Sequence, residues 1–198
     1  MKEERVHIFD ADDVIVPDHW FPLANKWLQM HGRPTFETRD VFDKFSFVGE
    51  MIPDPKEYAE FIRWFSNQNG YEGLKPMEGA VDGLRELKKD KRNRVLIATS
   101  CAWSDKHRGH IRQYGDKMNW LLDNLPFMKA SEIIAISQKD VLKGYSMTDD
   151  RVKNLRGDFE KKHLFTAWHN KKIASDVLRD QNIKRVDNWQ ELMAELGQ

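Results

Sequence analysis

Residues 6–13 read VHIFDADD, a short strand-like run that ends in a group of carboxylates. Side chains two residues apart in an extended chain point the same way, so Asp10 and Asp12 are predicted to project together from the end of this strand. Two such charges ~4 Å apart repel by about 4 kcal/mol at an effective dielectric near 20. A divalent cation is the usual way to offset that repulsion, and a solvated acidic turn is the alternative.

Further strand-like runs follow this first one along the chain. They are Val95–Thr99, Ile133–Ile136, Ser146–Thr148, His163–Thr166 and Ile183–Val186. Stretches with helical periodicity lie between them, such as Val81, Leu84 and Leu87 at a spacing of three. This alternation predicts a Rossmann-like α/β fold, with a mostly parallel sheet flanked by helices.

Residues 17–75 interrupt the alternation, because they contain no convincing strand. A helix is predicted over residues 19–30, and Asp54-Pro55 opens another with a capping residue followed by proline. We therefore predict a small helical cap of residues 17–75, inserted after the first strand of a core made of residues 1–16 and 76–198. An insertion at this point lies over the carboxyl end of the sheet, where α/β proteins place their sites.

Polar residues also follow three later strands. Thr99-Ser100 ends one, Lys139 follows the next, and Asp149-Asp150 follows a third. Taken singly these are weak signals, since a strand end, a solvated lysine and an acidic turn explain them equally well. Parallel strands all end at the same edge of a sheet, so we expect these residues to converge with the first carboxylates.

Composition narrows the choice of partners. The 198 residues carry 32 basic and 32 acidic side chains, a balance that gives no general attraction to polymeric nucleic acid or anionic lipid. A single cysteine, Cys101, excludes an intrachain disulfide and fits a reducing compartment. Clean apolar runs are too short to span a membrane. We expect a cytoplasmic protein with no membrane partner, for which a homodimer is compatible with the sequence.

The order Asp-x-Asp, Thr-Ser, Lys and Asp-Asp, each after a strand, resembles the haloacid dehalogenase superfamily of phosphotransferases. A closer resemblance, to the 5'(3')-deoxyribonucleotidases, covers most of the chain. It is carried by Pro76–Val81, Ile97–Ser100, Gln138–Asp140, Thr148–Arg151, Leu164–Asn170 and Val186–Trp189.

The resemblance implies roles for the carboxylates. Asp10 would be the nucleophile and a magnesium ligand. Asp12 would act as general acid and then as general base, with its backbone carbonyl on the metal. Asp150 would bind Mg²⁺ directly, and Asp149 would be either a ligand through water or a partner of Lys139.

The remaining roles concern the substrate. Thr99 and Ser100 would bind phosphate, and Lys139 would neutralise the phosphate and the aspartyl intermediate. Aromatic residues of the insertion would enclose the base, or else pack in the interior of the cap. We predict Trp20, Phe42, Phe45 and Trp64 for this role, with Phe47 and Phe65 as further candidates.

Three positions depart from the family pattern. Asp13 replaces a glycine, Cys101 replaces a proline, and Val152 replaces another proline. The charge of Asp13 would repel a phosphate dianion, unless its side chain turns into solvent or helps to bind the metal through water. We expect it to turn into solvent, since the other catalytic positions are intact.

The sequence thus predicts a magnesium-dependent 5'-nucleotidase. It would hydrolyse deoxyribonucleoside or ribonucleoside monophosphates to nucleoside and phosphate, through an aspartyl-phosphate intermediate. One alternative is a phosphatase for another small phosphate, such as a phospho-sugar. Another is a non-catalytic protein that binds a nucleotide or a protein partner, which Asp13 keeps open.

Overall fold

The computed structural model describes residues 4–42, 44–100 and 109–197, with side chains omitted for residues 109–111. Within these ranges six strands form one sheet. They are β1 (Arg5–Phe9), β2 (Asn93–Thr99), β3 (Ile133–Ala135), β4 (Lys143–Asp149), β5 (Asp158–Phe165) and β6 (Ile183–Val186). Their order is β3-β2-β1-β4-β5-β6, and every pairing is parallel. The prediction of a parallel α/β fold is confirmed.

Seven α-helices accompany the sheet in the described part of the chain. They are α1 (Trp20–Met30), α2 (Val48–Met51), α3 (Pro55–Phe65), α4 (Ala80–Lys89), α5 (Gly109–Asn124), α6 (Ser175–Asp180) and α7 (Trp189–Leu196). None of these helices is long and apolar enough to cross a membrane. Asp54 caps α3 by accepting from the backbone amides of Lys56 and Glu57, so the predicted start of this helix is confirmed.

Both faces of the sheet are covered by apolar side chains. Phe9 of β1 packs on one face, with Leu84 of α4 and Leu121 of α5. Ile8 points to the opposite face, where Leu178 of α6 contributes to a second cluster. Because both faces are buried, residues 8–9 of β1 and 95–98 of β2 are continuous apolar runs rather than alternating ones. β4 and β5 are more polar, and they bury Ser146 and His163 within the sheet.

The helices α1, α2 and α3 all lie within residues 17–75, and no strand falls among the described residues of that range. They share a cluster of buried side chains that includes Trp27, Phe61 and Ile52. Trp168, which follows β5, is the core residue that joins this cluster. The apolar periodicity of α3 is explained by this shared cluster. The exact division into core and cap remains a prediction.

Trp189 fixes α7 against the sheet. Its Nε1 donates to the carbonyl oxygen of Val14 at 2.8 Å, and its ring stacks on Phe9 with the ring centroids 5.4 Å apart. Gly83 of α4 lies so close that a Cβ atom built there would be 2.7 Å from Cε3 of the indole. The indole is 2% exposed and cannot easily give way.

We therefore expect Gly83→Ala to lower the free energy of unfolding by ~1–2 kcal/mol, because overpacking at the indole exceeds the gain in helix propensity. Gly115→Ala in α5 is the matched control, since an added Cβ there meets no atom within 4 Å. It should raise the free energy of unfolding by up to about 1 kcal/mol. Urea denaturation followed by circular dichroism measures both, and equal effects would contradict this account of the packing.

Candidate active site

The carboxyl edge of the sheet brings Asp10, Lys139 and Asp149 together. Lys139 lies in a short 3₁₀ turn, residues Lys139–Val141, between β3 and β4. Its Nζ is 2.5 Å from Oδ1 of Asp10 and 2.9 Å from Oδ2 of Asp149. Lys139 is only 2% exposed, so it is not a solvated surface lysine. Burial lowers the pKa of Lys139, but the carboxylates of Asp10 and Asp149 raise it by a larger amount. The pKa of Lys139 therefore lies above its usual value.

Asp149 has both carboxylate oxygens engaged by protein donors. Oδ1 accepts from the backbone amide of Arg151 and from Nδ2 of Asn154, each at 2.9 Å. Oδ2 accepts from Lys139. Of the two roles considered for Asp149, this geometry favours the partner of Lys139. Asn154 was not identified from the sequence.

Asp150 contacts the segment that follows β5. Its Oδ2 lies 2.7 Å from Nε2 of His169, and its backbone carbonyl accepts from Nδ2 of Asn170 at 2.8 Å. Burial lowers the pKa of His169, which favours the neutral ring. His169 and Asn170 received no role from the sequence, although both belong to a segment that carried the family resemblance.

The donor set at this edge fits a magnesium ion. Asp10, Asp149 and Asp150 each place a carboxylate oxygen within 4.8 Å of the others, and all three side chains are buried. Burial, together with the neighbouring carboxylates, raises the pKa of Asp10 and of Asp150 against the opposing effect of Lys139, and the pKa of each is about 7. Buried carboxylates that repel one another are stabilised by a hard cation, and an all-oxygen donor set suits Mg²⁺.

Asp12 makes an ion pair that the sequence did not predict. Its Oδ2 accepts from Nζ of Lys117 at 2.6 Å, and the same ammonium reaches Oγ1 of Thr99 at 3.1 Å. Burial raises the pKa of Asp12, but Lys117 lowers it, and the net shift is downward. Lys117 lies on the face of α5 that includes Leu121, so a lysine at an apolar position of an amphipathic helix was the available signal.

The phosphate-binding candidates differ in their surroundings. Thr99 is fully buried, and its hydroxyl accepts from Lys117. Ser100 borders the cleft described below, with its Oγ 3.2 Å from Oγ of Ser137. Cys101, the next departure from the family pattern, lies outside the described residues.

Asp13 does not turn into solvent, so that expectation is wrong. Its side chain is 16% exposed, and Oδ1 lies 3.4 Å from Nη1 of Arg39, whose guanidinium also contacts Asp18 at 3.0 Å. A carboxylate oxygen of Asp13 also lies within 4.8 Å of ligand atoms of Asp150 and His169. The carboxylate of Asp13 stays against the protein because the guanidinium of Arg39 balances its negative charge. The backbone of Asp13 has a φ of 56°, which glycine adopts freely and aspartate tolerates.

A cavity of about 330 Å³ lies between the cap helices and the carboxyl edge. Asp12, Asp13 and Lys117 line it on the core side. Aromatic side chains line it on the cap side: Trp20, Phe45, Phe47, Tyr58 and Phe65. The cleft therefore joins a charged end to an apolar, aromatic end.

Two of the predicted base-binding residues do not border this cleft. Phe42 is buried in the cap interior, with its ring centroid 5.0 Å from that of Phe36. Trp64 packs beside Phe61, with ring centroids 6.2 Å apart. The prediction for Phe42 and Trp64 is corrected, because their apolar surface serves the interior of the cap.

Comparisons with known proteins identify a matching family and several similar proteins. Residues 4–196 match the family described as 5' nucleotidase, deoxy (pyrimidine), cytosolic type C protein. The 5'(3')-deoxyribonucleotidase of Bacillus subtilis is 27% identical over 126 residues, which cover 64% of each chain. The human cytosolic-type 5'(3')-deoxyribonucleotidase is 30% identical over 124 residues, 61% of this chain and 59% of that protein. The matched region thus spans less than two thirds of these curated relatives.

A solved structure shows the same fold. The crystal structure of a HAD (haloacid dehalogenase) family hydrolase from Deinococcus radiodurans, with bound phosphate and sodium, aligns with a TM-score of 0.61. The alignment covers 100% of this chain and 96% of that chain, at 14% sequence identity.

The raised pKa of Asp150 predicts that the free energy of unfolding of the metal-free protein falls as the pH rises. Between about pH 4, the unfolded value, and pH 7, the folded state keeps a proton that the unfolded state has lost. The stability contributed by that proton is therefore lost as the pH rises. Asp150→Asn should become more stable than the wild type by ~1–3 kcal/mol between pH 4.5 and 7.5.

Urea denaturation in the presence of a chelator measures this difference at each pH. Asp180→Asn, which changes an exposed aspartate of α6, is the control and should show a flat difference. If the stability difference between Asp150→Asn and the wild type also stayed constant with pH, burial would not destabilise the ionised form of Asp150.

Proposed function

Because the chain belongs to the 5' nucleotidase, deoxy (pyrimidine), cytosolic type C family, we propose that it hydrolyses nucleoside 5'-monophosphates, with deoxyribonucleotides as the favoured class. The products would be the nucleoside and inorganic phosphate. The observation that carries the proposal is Lys139, buried between Asp10 and Asp149 at the charged end of a cleft with aromatic walls. The relatives named above support the same reaction.

Asp10 is the nucleophile in this proposal. Its Oδ1 accepts from the backbone amide of Ala11 at 2.6 Å and faces Lys139, so both contacts use the same oxygen. Oδ2 is therefore the oxygen that attacks phosphorus. Lys139 stabilises the negative charge that gathers during this step, because a positive charge in a buried site acts at low dielectric.

Asp12 moves the protons. As the bond from phosphorus to the 5'-oxygen breaks, Asp12 protonates the leaving oxygen. In the second step Asp12 takes a proton from water, and the resulting hydroxide displaces Asp10 from the aspartyl phosphate. Two-step displacement of this kind is the general logic of nucleophilic catalysis.

Magnesium would be held by the side chains of Asp10 and Asp150 and by the backbone carbonyl of Asp12. When bound, it supplies positive charge to the phosphate oxygens. Thr99 and Ser100 contribute polar groups at the end of β2 for phosphate binding. Asp149 keeps Lys139 in place. A cytoplasmic location and a homodimer remain predictions.

A phosphate-release assay over nucleoside monophosphates, with and without Mg²⁺, tests the proposal. We expect turnover only with the metal and no more than a few per cent of it in Asp10→Asn, because an amide is a poor nucleophile and a poor ligand. Asp180→Asn, remote from the site, should match the wild type. A folded Asp10→Asn protein that keeps substantial activity would refute the mechanism, and turnover of phospho-sugars alone would favour the alternative phosphatase.

The aromatic wall of the cleft predicts that the protein distinguishes nucleotides from sugar phosphates that lack a base. Phe45 borders the cleft and is 48% exposed, with the guanidinium of Arg151 4.0 Å from its ring centroid. Phe45→Ala should lower kcat/KM for a nucleotide by roughly five- to a hundredfold, the equivalent of ~1–3 kcal/mol of stacking. Its rate on deoxyribose 5-phosphate should change little.

Trp64→Ala is the matched control, because Trp64 is an aromatic residue of the same cap that does not border the cleft. It should change the rates on both substrates by the same factor. Equal losses on nucleotide and sugar phosphate in Phe45→Ala would remove Phe45 from the base site.

A further inference from the structure

Lys117 is a buried cation whose hydrogen bonds to the described residues all lie at the candidate active site. It is 5% exposed, although most lysines of globular proteins are solvated. Its Nζ donates to Oδ2 of Asp12 at 2.6 Å, to Oγ1 of Thr99 at 3.1 Å and to the backbone oxygen of Ser100 at 3.4 Å. A buried ammonium is tolerated when it is paired and hydrogen-bonded, and here those partners are candidate catalytic and phosphate-binding residues.

The two carboxylate oxygens of Asp12 have different surroundings. Oδ2 is held by Lys117, whereas Oδ1 is buried and has no hydrogen-bond partner among the described residues. The side chain borders the cleft and is 43% exposed, but that exposed surface does not include Oδ1. The contact of Oδ2 with Lys117 therefore fixes the orientation of the part of Asp12 that faces the cleft.

We propose that Lys117 is a positioning residue, which holds Asp12 by Oδ2 in the orientation in which its carboxyl group exchanges protons with the leaving oxygen and with water. This inference rests on the proposed hydrolysis. Oδ2 of Asp10 forms a bond to phosphorus while the bond from phosphorus to the 5'-oxygen breaks. The leaving oxygen keeps the bonding electron pair and takes the proton from Asp12. Asp12 then becomes a carboxylate, the form that its ion pair with Lys117 stabilises.

The second half of the reaction reverses the direction of proton transfer. Asp12 takes a proton from water, the water oxygen bonds to phosphorus, and the bond from phosphorus to Asp10 breaks. Asp10 regains its carboxylate, and Asp12 is again protonated. Lys117 holds Oδ2 of Asp12 throughout, so the orientation of the carboxyl group is kept from one step to the next.

A change of leaving group tests this role. The substrates are the deoxynucleoside 5'-monophosphate that the wild type hydrolyses fastest, and its analogue with sulfur in place of the bridging 5'-oxygen. A thiolate leaves without a proton, whereas an alkoxide needs one. Lys117→Met should lower the single-turnover rate of leaving-group release, measured as nucleoside or 5'-thionucleoside formed, at least tenfold on the oxygen substrate and less than threefold on the sulfur substrate. Asp12→Asn should show the same selective loss.

Lys139→Met is the matched control, since it also removes a buried lysine from the site. It should slow both substrates alike, because Lys139 acts on charge at phosphorus. Equal losses on both substrates in Lys117→Met would overturn the proposal and make Lys117 a phosphate-binding or structural residue. Thermal unfolding of each variant identifies loss of fold.

Lys117→Gln serves as a second variant, because its amide can still donate to Oδ2 of Asp12. It should recover part of the rate on the oxygen substrate relative to Lys117→Met. A folded Lys117→Gln protein that slows both substrates equally would also overturn the proposal. A wild type that releases phosphate from neither substrate would instead refute the proposed function, and this inference with it.

Discussion

Repulsion among carboxylates buried at one edge of the sheet is the constraint on which the site depends. Asp10, Asp149 and Asp150 are buried there, and the partly exposed Asp12 lies beside them, at the ends of two neighbouring parallel strands. Lys139 offsets Asp10 and Asp149, and Lys117 offsets Asp12.

The two lysines are not equivalent, because each reaches a different part of the proposed reaction. Lys139 contacts the nucleophile, and its second partner Asp149 is itself anchored by Asn154. Lys117 contacts the proton-transferring residue and lies on a helix rather than in a turn after a strand. In the proposed reaction, charge at phosphorus and the orientation of Asp12 would thereby be controlled from separate elements of the fold.

Helix α5 connects the cap to this chemistry. Nε2 of Gln113 donates to the backbone oxygens of Phe65 and Gln68, at the end of α3. One turn further along the same helix, Lys117 holds Asp12. Arg39 makes a second connection, since this cap residue pairs with Asp13 in the loop after β1. The position of the cap and the geometry of the catalytic loop are therefore linked.

The local patterns in the chain were sufficient for the fold and for part of the site. The strand-like runs overlapped all six strands, although β4 and β5 begin three and five residues before the predicted starts at Ser146 and His163. Asp54 marked the start of α3, because helix capping acts over a few residues. Convergence of Asp10, Lys139 and Asp150 followed from topology, since parallel strands end at one edge. Contacts between distant segments had no such signal. Lys117 meets Asp12 across 105 residues, Arg39 holds Asp13, and Phe42 and Trp64 pack within the cap, because these pairings depend on how helices pack in three dimensions.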